Sequence, residues 1–113
     1  MVEHNNRNLD AIFHALADAT RREMVSLVSE KERSVSEMAA PFDMSLAAAS
    51  KHIKVLEKAN LIHRKIEGRK HICRLNAETL SLASQWLQVY EQFWDKRFDI
   101  LEEELWKAKK DEH

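Results

Sequence analysis

Residues 45–75 decide the fold that this sequence predicts, and they read SLAAASKHIKVLEKANLIHRKIEGRKHICRL. Ser45 is a good helix N-cap because its hydroxyl can accept a hydrogen bond from an amide of the first turn. Three apolar residues then recur at i, i+4 and i+7; they are Ala49, Ile53 and Leu56. This spacing puts them on one face and predicts a helix over residues 46–58, with that face turned toward a core.

Two short segments follow this helix. Residues 61–67 and 70–75 are β-branched or apolar and alternate, which is typical of strands. Gly68, the only glycine in the chain, lies between them, where a tight hairpin turn needs a positive φ. The two segments therefore predict a β-hairpin. Alternate residues of its second strand are predicted to face the core; these are His71, Cys73 and Leu75.

Three shorter helices are predicted ahead of this segment. Apolar residues at helical spacing predict the first over residues 8–17. Thr20 followed by Glu23 fits a capping box that opens the second, and Ser34 or Ser36 would cap the third. The predicted fold class is therefore mainly α with a small β-hairpin.

A long helical pattern over residues 77–109 comes last. From Leu80 to Leu87 its apolar stripe is predicted to be ordinary core. A helix of about 30 residues spans about 45 Å, which is longer than one domain of this size can cover. The aromatic far part is therefore predicted to pack against a second copy in a homodimer. The predicted dimer contacts on this helix are Tyr90, Trp94, Phe98, Leu101, Leu105 and Trp106.

Charge is unevenly distributed along the chain. The net charge of the whole chain is only −1. Between Ser50 and Leu75, however, eight Lys or Arg residues stand against two Glu residues, a surplus of +6. A basic middle between acidic flanks is typical of a protein that presents one face to a polyanion.

The order of these elements indicates the kind of polyanion that the basic face would bind. Two short helices, a tight turn at residues 43–45 and a helix with small residues at its start describe a helix–turn–helix. Small side chains let such a helix enter a DNA major groove about 12 Å wide. Leu46 and Ala47 are predicted to contact thymine methyl groups, and Ser50 a base edge or a phosphate. Lys51 and Lys54 are predicted to contact phosphates. The basic residues of the hairpin would follow the DNA backbone or reach into the minor groove.

The stretches LDAIFHALADATRREMV at residues 9–25, ASKHIKVL at 49–56, ANLI at 59–62 and EGRK at 67–70 resemble the ArsR/SmtB family of winged helix–turn–helix repressors. The resemblance covers about residues 9–75. It implies one winged domain over residues 8–109 that pairs through its first and last helices and leaves its operator when an inducer binds. The dimer contacts that it adds on the first helix are Leu9, Ile12, Phe13 and Leu16. With the positions that the resemblance adds, the predicted DNA contacts are Ser45, Leu46, Ala47, Ser50, Lys51, His52, Lys54, Arg64, Lys65, Gly68, Arg69 and Lys70.

The sequence departs from the family pattern at three positions. Ala19 stands where a proline is common, and Asp43 where a glycine is usual. Pro41 occupies a normally helical position, and it should shorten or distort the third helix because proline lacks an amide proton. These departures affect the expected geometry of the third helix and leave the predicted fold unchanged.

The sequence assigns no inducer. Metal-sensing relatives have a cysteine pair where Val35–Met38 stands here, or histidine ligands on the last helix, and this chain has neither. No metal site and no cofactor are therefore predicted, and the inducer is an unknown small molecule or protein. His52 is predicted to bind a phosphate or to form an intramolecular hydrogen bond. Two alternatives stay open: a winged-helix interaction module controlled by a partner protein, and a metal sensor with a non-standard histidine site.

Several protein classes are not supported by the sequence. It has no glycine-rich phosphate loop and no nucleophile motif, so an enzyme is not expected. No apolar run approaches the roughly 18 residues of a membrane span, and the polar start does not resemble a signal peptide. A single cysteine, Cys73, cannot form an intrachain disulfide, which is typical of a cytoplasmic protein.

Overall fold

The structure, a computed structural model, describes residues 2–111, without the side chains of residues 2–7, 92–95 and 110–111. Its helices are α1 (Val2–Leu16), α2 (Ala19–Glu30), α3 (Val35–Ala39), α4 (Leu46–Lys58) and α5 (Ala77–Asp111). Its strands are β1 (Arg33–Ser34), β2 (Ile62–Glu67) and β3 (Lys70–Leu75). They form an antiparallel sheet of order β1-β3-β2. The chain divides into two units, and the boundary lies within α5, after Ala83.

The core of the first unit is built from the buried faces of α1 to α4, β2 and β3, together with Ala83 at the start of α5. Its fully buried large side chains are Ile12, Met24, Met38, Ile53, Leu56, Leu61, Ile62 and Cys73. Burying a side chain such as isoleucine or leucine stabilises the fold by about 1.5–3 kcal/mol. Ala49, Ile53 and Leu56 are all buried, which confirms the predicted inner face of α4.

The end of α4 directs the chain into the hairpin. Asn60 adopts a positive φ of 60°. Its N–H donates to the carbonyl of Glu57 at 2.9 Å, and the N–H of Leu61 donates to the carbonyl of Leu56 at 3.0 Å. This double hydrogen bond is a Schellman motif, which ends a helix on a left-handed residue and packs the next apolar residue against its last turn. The buried Leu61 is that residue, so the motif positions β2 against α4.

The predicted hairpin is part of a three-stranded sheet. Two residues before α3 form β1, where Arg33 pairs with Cys73 and Ser34 pairs with Ile72. The hairpin turn lies at Gly68, whose φ is 62°, as its position predicted. We call the hairpin of β2 and β3 the wing (residues 62–75). Because β1 reaches only as far as Ile72, the outer part of the wing has two strands.

Three predicted helix starts are refined by the structure. α1 begins at Val2, six residues earlier than predicted. The capping box at Thr20 was wrong, because Asp18 is the N-cap of α2 and its carboxylate accepts from the N–H of Arg21 at 3.0 Å. For α3, the structure selects Ser34, which forms a capping box with Glu37. That helix ends at Ala39, consistent with the shortening expected from Pro41.

The Asp18 cap has a measurable pH dependence. The N–H of Arg21 donates to its carboxylate and lowers the pKa of Asp18 below its ordinary value. The contribution of this cap to the free energy of unfolding is therefore fully present above the ordinary pKa of 3.8, and it is lost as the pH falls through the folded-state pKa of Asp18. We expect Asp18→Ala to lower the free energy of unfolding by about 1 kcal/mol at pH 7, and Asp18→Asn to lower it less, since asparagine also caps helices. Urea unfolding at pH 7 and at acidic pH checks this; a larger loss in Thr20→Ala would contradict it.

Candidate nucleic-acid interface

The outer face of α4 is open to solvent. Ser45 begins the helix, and its hydroxyl accepts from the N–H of Ala48 at 3.1 Å. Leu46 is 58% exposed, and Ala47 beside it is exposed too. Ser50, one turn further, is half-buried. This side of the helix therefore offers small and apolar groups that leave room for an approaching surface.

Two exposed cations lie along the same helix. Lys51 and Lys54 are three residues apart, so their side chains are neighbours on the helix surface. Neither ammonium group takes part in the ion pairs of the described residues. Both are therefore available to an external anion.

The wing carries a second group of exposed cations. Lys65, Arg69 and Lys70 are exposed around the turn at Gly68. Lys65 Nζ lies 3.1 Å from Glu67 Oε1, but both side chains are more than half exposed. An ion pair of this kind contributes about 0–1 kcal/mol, so a phosphate could replace the carboxylate at little cost.

Arg64 is placed differently from the other predicted wing contacts. Its guanidinium forms an ion pair with Glu57 near the end of α4, and its side chain is only 18% exposed. Its Nε is buried and has no hydrogen-bond acceptor among the described residues. Arg64 therefore joins the wing to α4 instead of presenting its charge outward.

His52 forms the intramolecular contact that was one of its two predicted roles. Its Nδ1 lies 3.3 Å from Nη1 of Arg21, a residue of α2. Its side chain is 25% exposed, so the ring is largely enclosed between α4 and α2. The lysines of α4 are therefore exposed, whereas its histidine faces the neighbouring helix.

The prediction for the second strand was right for Cys73 and for Leu75, which is partly buried against the core, and wrong for His71. Cys73 is fully buried, and burial raises the pKa of its thiol. His71, predicted to face the core, is exposed. Cys73 pairs with strands on both sides, whereas His71 pairs only with Ile66 on the wing, beyond the end of β1. In the part of the chain that the structure describes, no three His, Cys, Asp or Glu side chains are grouped to hold a metal ion.

The predicted dimer residues fall into three groups. In α1, Leu9, Phe13 and Leu16 are half-buried, but Ile12 is fully buried in the core of its own chain and offers no surface to a partner. Trp94 lies outside the described side chains. The remaining α5 residues are all between 46% and 67% exposed; they are Tyr90, Phe98, Leu101, Leu105 and Trp106.

The second unit therefore displays a broad apolar surface on one helix. Trp86 and Tyr90, one turn apart, pack with ring centroids 4.8 Å apart, and both are almost half exposed. Leu87, predicted to lie in the core stripe, is 44% exposed, and none of the described α5 side chains after Ala83 is buried. None of the described helices has the length and apolar character needed to cross a membrane.

Comparison with known proteins agrees with this geometry. Residues 16–65, from the end of α1 to the first part of the wing, match the family model of a helix-turn-helix domain. The chain is 36% identical over 91 residues to YuzN, an uncharacterized HTH-type transcriptional regulator of Bacillus subtilis (strain 168). That match covers 74% of this chain and 99% of YuzN.

Two further relatives extend the comparison. The arsenical resistance operon repressor of Staphylococcus xylosus is 30% identical over 83 residues, covering 74% of this chain and 80% of that protein. The crystal structure of an ArsR family transcriptional regulator superposes with a TM-score of 0.72 at 37% identity, covering 80% of this chain and 93% of the other. These relatives are transcriptional regulators, which confirms the function predicted from residues 45–75: the chain is a DNA-binding repressor, not an enzyme. It belongs to the ArsR/SmtB family of winged helix–turn–helix transcriptional regulators.

Proposed function

We propose that this repressor acts as a homodimer on an inverted-repeat operator, with α4 of each subunit in a major groove and each wing along the adjacent backbone. The observation that carries this proposal is the outer face of α4, where two unpaired lysines flank small residues on the side opposite the core. Small side chains admit the helix to the groove, and the lysines meet phosphates at its edges. A DNA-binding role also supports a cytoplasmic location.

The structure supports dividing the predicted contacts by what each group can reach. Apolar and hydroxyl groups at the start of α4 suit base edges, and the cations suit phosphates. We therefore retain Ser45, Leu46, Ala47, Ser50, Lys51, Lys54, Lys65, Gly68, Arg69 and Lys70 as the DNA-contact set. Arg64 and His52 face neighbouring elements of the chain and are assigned to holding α4 and the wing in place.

The dimer is proposed to form through α1 and the exposed face of α5. Aromatic and leucine side chains that are half exposed or more in one chain would be covered by the same residues of a second chain, as a two-fold axis requires. A dimer places two recognition helices on one face of the duplex, so the half-sites should lie about one or two helical turns apart, on the order of 34 Å per turn. We propose that a small molecule or a protein inducer releases the dimer from DNA.

Removing one lysine of α4 tests this assignment. We expect Lys54→Ala to weaken binding to every duplex about three- to tenfold, because one phosphate contact is lost whatever the base sequence. The slope of log K against log salt concentration should fall by about one, since fewer counterions are released. Fluorescence anisotropy across a salt series measures both quantities, with Lys31→Ala as the control because Lys31 is exposed in the turn after α2. An equal loss in both variants would exclude α4 as the DNA-contacting helix.

A further inference from the structure

Arg21 belongs to α2, and its guanidinium contacts two other helices. Its Nε donates to the carbonyl of Ala15 at 2.6 Å, and Nη2 donates to the carbonyl of His14 at 3.2 Å. Both carbonyls belong to the last turn of α1, where a helix has no intrahelical donors for them. The third contact is Nη1 with His52 Nδ1 on α4. The side chain of Arg21 is only 13% exposed, so these contacts form largely out of solvent.

The chemistry of this contact determines which atom of His52 takes part. An arginine side chain donates hydrogen bonds and accepts none, so Nδ1 must be the acceptor. The Asp18 carboxylate lies beside both groups, with Oδ2 at 3.9 Å from Nη1 of Arg21 and Oδ1 at 4.0 Å from Nδ1 of His52. The contact is therefore directional, with a defined donor and a defined acceptor.

The contact between Arg21 and His52 is directional, whereas the packing of the core beneath α4 is not. Ala49, Ile53 and Leu56 hold the helix against the body by apolar packing, which is non-directional. His52 precedes Ile53, so its hydrogen bond restricts the rotation of the helix about its axis. That rotation determines where Lys51 and Lys54 point.

We propose that Arg21 is a positioning residue for DNA binding: through His52 Nδ1 it sets the rotation of α4 against the end of α1, so that the outer face of α4 meets the groove correctly. This inference rests on the proposed role of α4. Arg21 touches no DNA in this arrangement and acts through His52. Since the same guanidinium also holds the end of α1, it links α4 to a helix of the proposed dimer interface.

Two substitutions of His52 test the inference and leave the bonds from Arg21 to α1 intact. The Oδ1 of asparagine lies near the position of Nδ1, whereas the amide of glutamine reaches the position of Nε2. We expect His52→Asn to bind within about twofold of the unchanged protein, and His52→Gln to bind about tenfold more weakly, as for the loss of a hydrogen bond to a charged group. The probe is a duplex selected from a random pool by the unchanged protein. Urea unfolding confirms that both variants fold.

The opposite order, with glutamine retaining affinity and asparagine losing it, would overturn the inference, because His52 would then act through Nε2. Equal affinities in the two variants, whether retained or lost, would also overturn it. Arg21→Lys adds a second measurement. The loss of DNA affinity that it causes should largely disappear in the His52→Gln background, and additive losses of affinity would contradict coupling between the two residues. Lys54→Ala in the same titration separates the two proposals. If it has no effect, the role of α4 itself fails; if it weakens binding but the His52 variants do not differ, only the positioning role fails.

Discussion

Replacing both Leu101 and Leu105 with glutamate should convert the protein into a monomer and weaken its binding to operator DNA by about a hundredfold or more. In a single chain these side chains are 50% and 67% exposed, although both are strongly apolar. Burying one leucine completely contributes about 1.5–3 kcal/mol. A symmetric interface would cover each residue in both subunits, so two substitutions affect four buried positions.

The loss of DNA affinity follows from the loss of the dimer. In a dimer, the second half-site is bound at a high effective concentration once the first is occupied. A monomer lacks this advantage, although its own α4 and wing are unchanged. Light scattering on a sizing column measures the mass, and anisotropy with the selected duplex measures the affinity.

A matched control separates the apolar face from net charge. Lys107→Ala with Lys109→Ala changes the net charge by the same −2 but leaves every leucine of α5 in place. This control should remain a dimer and keep its operator affinity within a few-fold. A dimer of normal mass in the leucine variant would contradict the proposed interface, and a monomer that still bound with full affinity would contradict the dimeric operator complex.

The second prediction with a large expected effect is a loss of stability at the inner face of α4. Ile53→Ala should lower the free energy of unfolding by about 3 kcal/mol, because Ile53 is fully buried and its loss leaves a cavity. Total stabilities of small domains are about 5–15 kcal/mol, so this is a large fraction. Urea unfolding followed by circular dichroism measures it.

Leu46→Ala is the matched control on the same helix. Leu46 is 58% exposed, so its truncation should change the unfolding free energy by no more than about 0.5 kcal/mol. It should nevertheless weaken binding to the selected duplex more than to a random one, because Leu46 is proposed to contact bases. Equal destabilisation by the two substitutions would mean that the faces of α4 have been assigned wrongly.

The elements with strong local signals were predictable from sequence. Ser45 as an N-cap, the buried series from Ala49 to Leu56 and the positive φ of Gly68 each depend on neighbours within one or two turns. Apolar periodicity and the residue types found in turns depend on these near neighbours, so both can be identified directly in the sequence. The bounds of α4 and the position of the hairpin turn were therefore predicted correctly.

Features decided by tertiary contacts were not predictable in the same way. A strand of two residues such as β1 is too short to show alternation, and only its pairing with β3 defines it. Asp18 and Thr20 are both good N-cap residues, and the α2 start is selected by the hydrogen bond from Arg21 to Asp18. His71 follows the alternation of its strand, but the wing extends beyond the core at that point.

The site residues show the same distinction. Arg64 and Lys65 were both predicted to contact DNA from the wing, but only Lys65 is exposed. Alternate residues of a strand point to opposite faces, and Arg64 lies on the face where it pairs with Glu57 of α4. Arg21, which we propose as a positioning residue, was not among the site residues predicted from the sequence. Its contacts span residues 14 to 52, and no local pattern signals them.

Selection of duplexes from a random pool by the full chain at low salt tests the central claim most directly. We expect enrichment of an inverted repeat whose half-sites lie about one or two helical turns apart, on the order of 34 Å per turn, as two α4 helices in adjacent major grooves require. A pool that shows no enrichment, or that yields a single asymmetric element bound by one subunit, would contradict a dimeric repressor that reads DNA through α4.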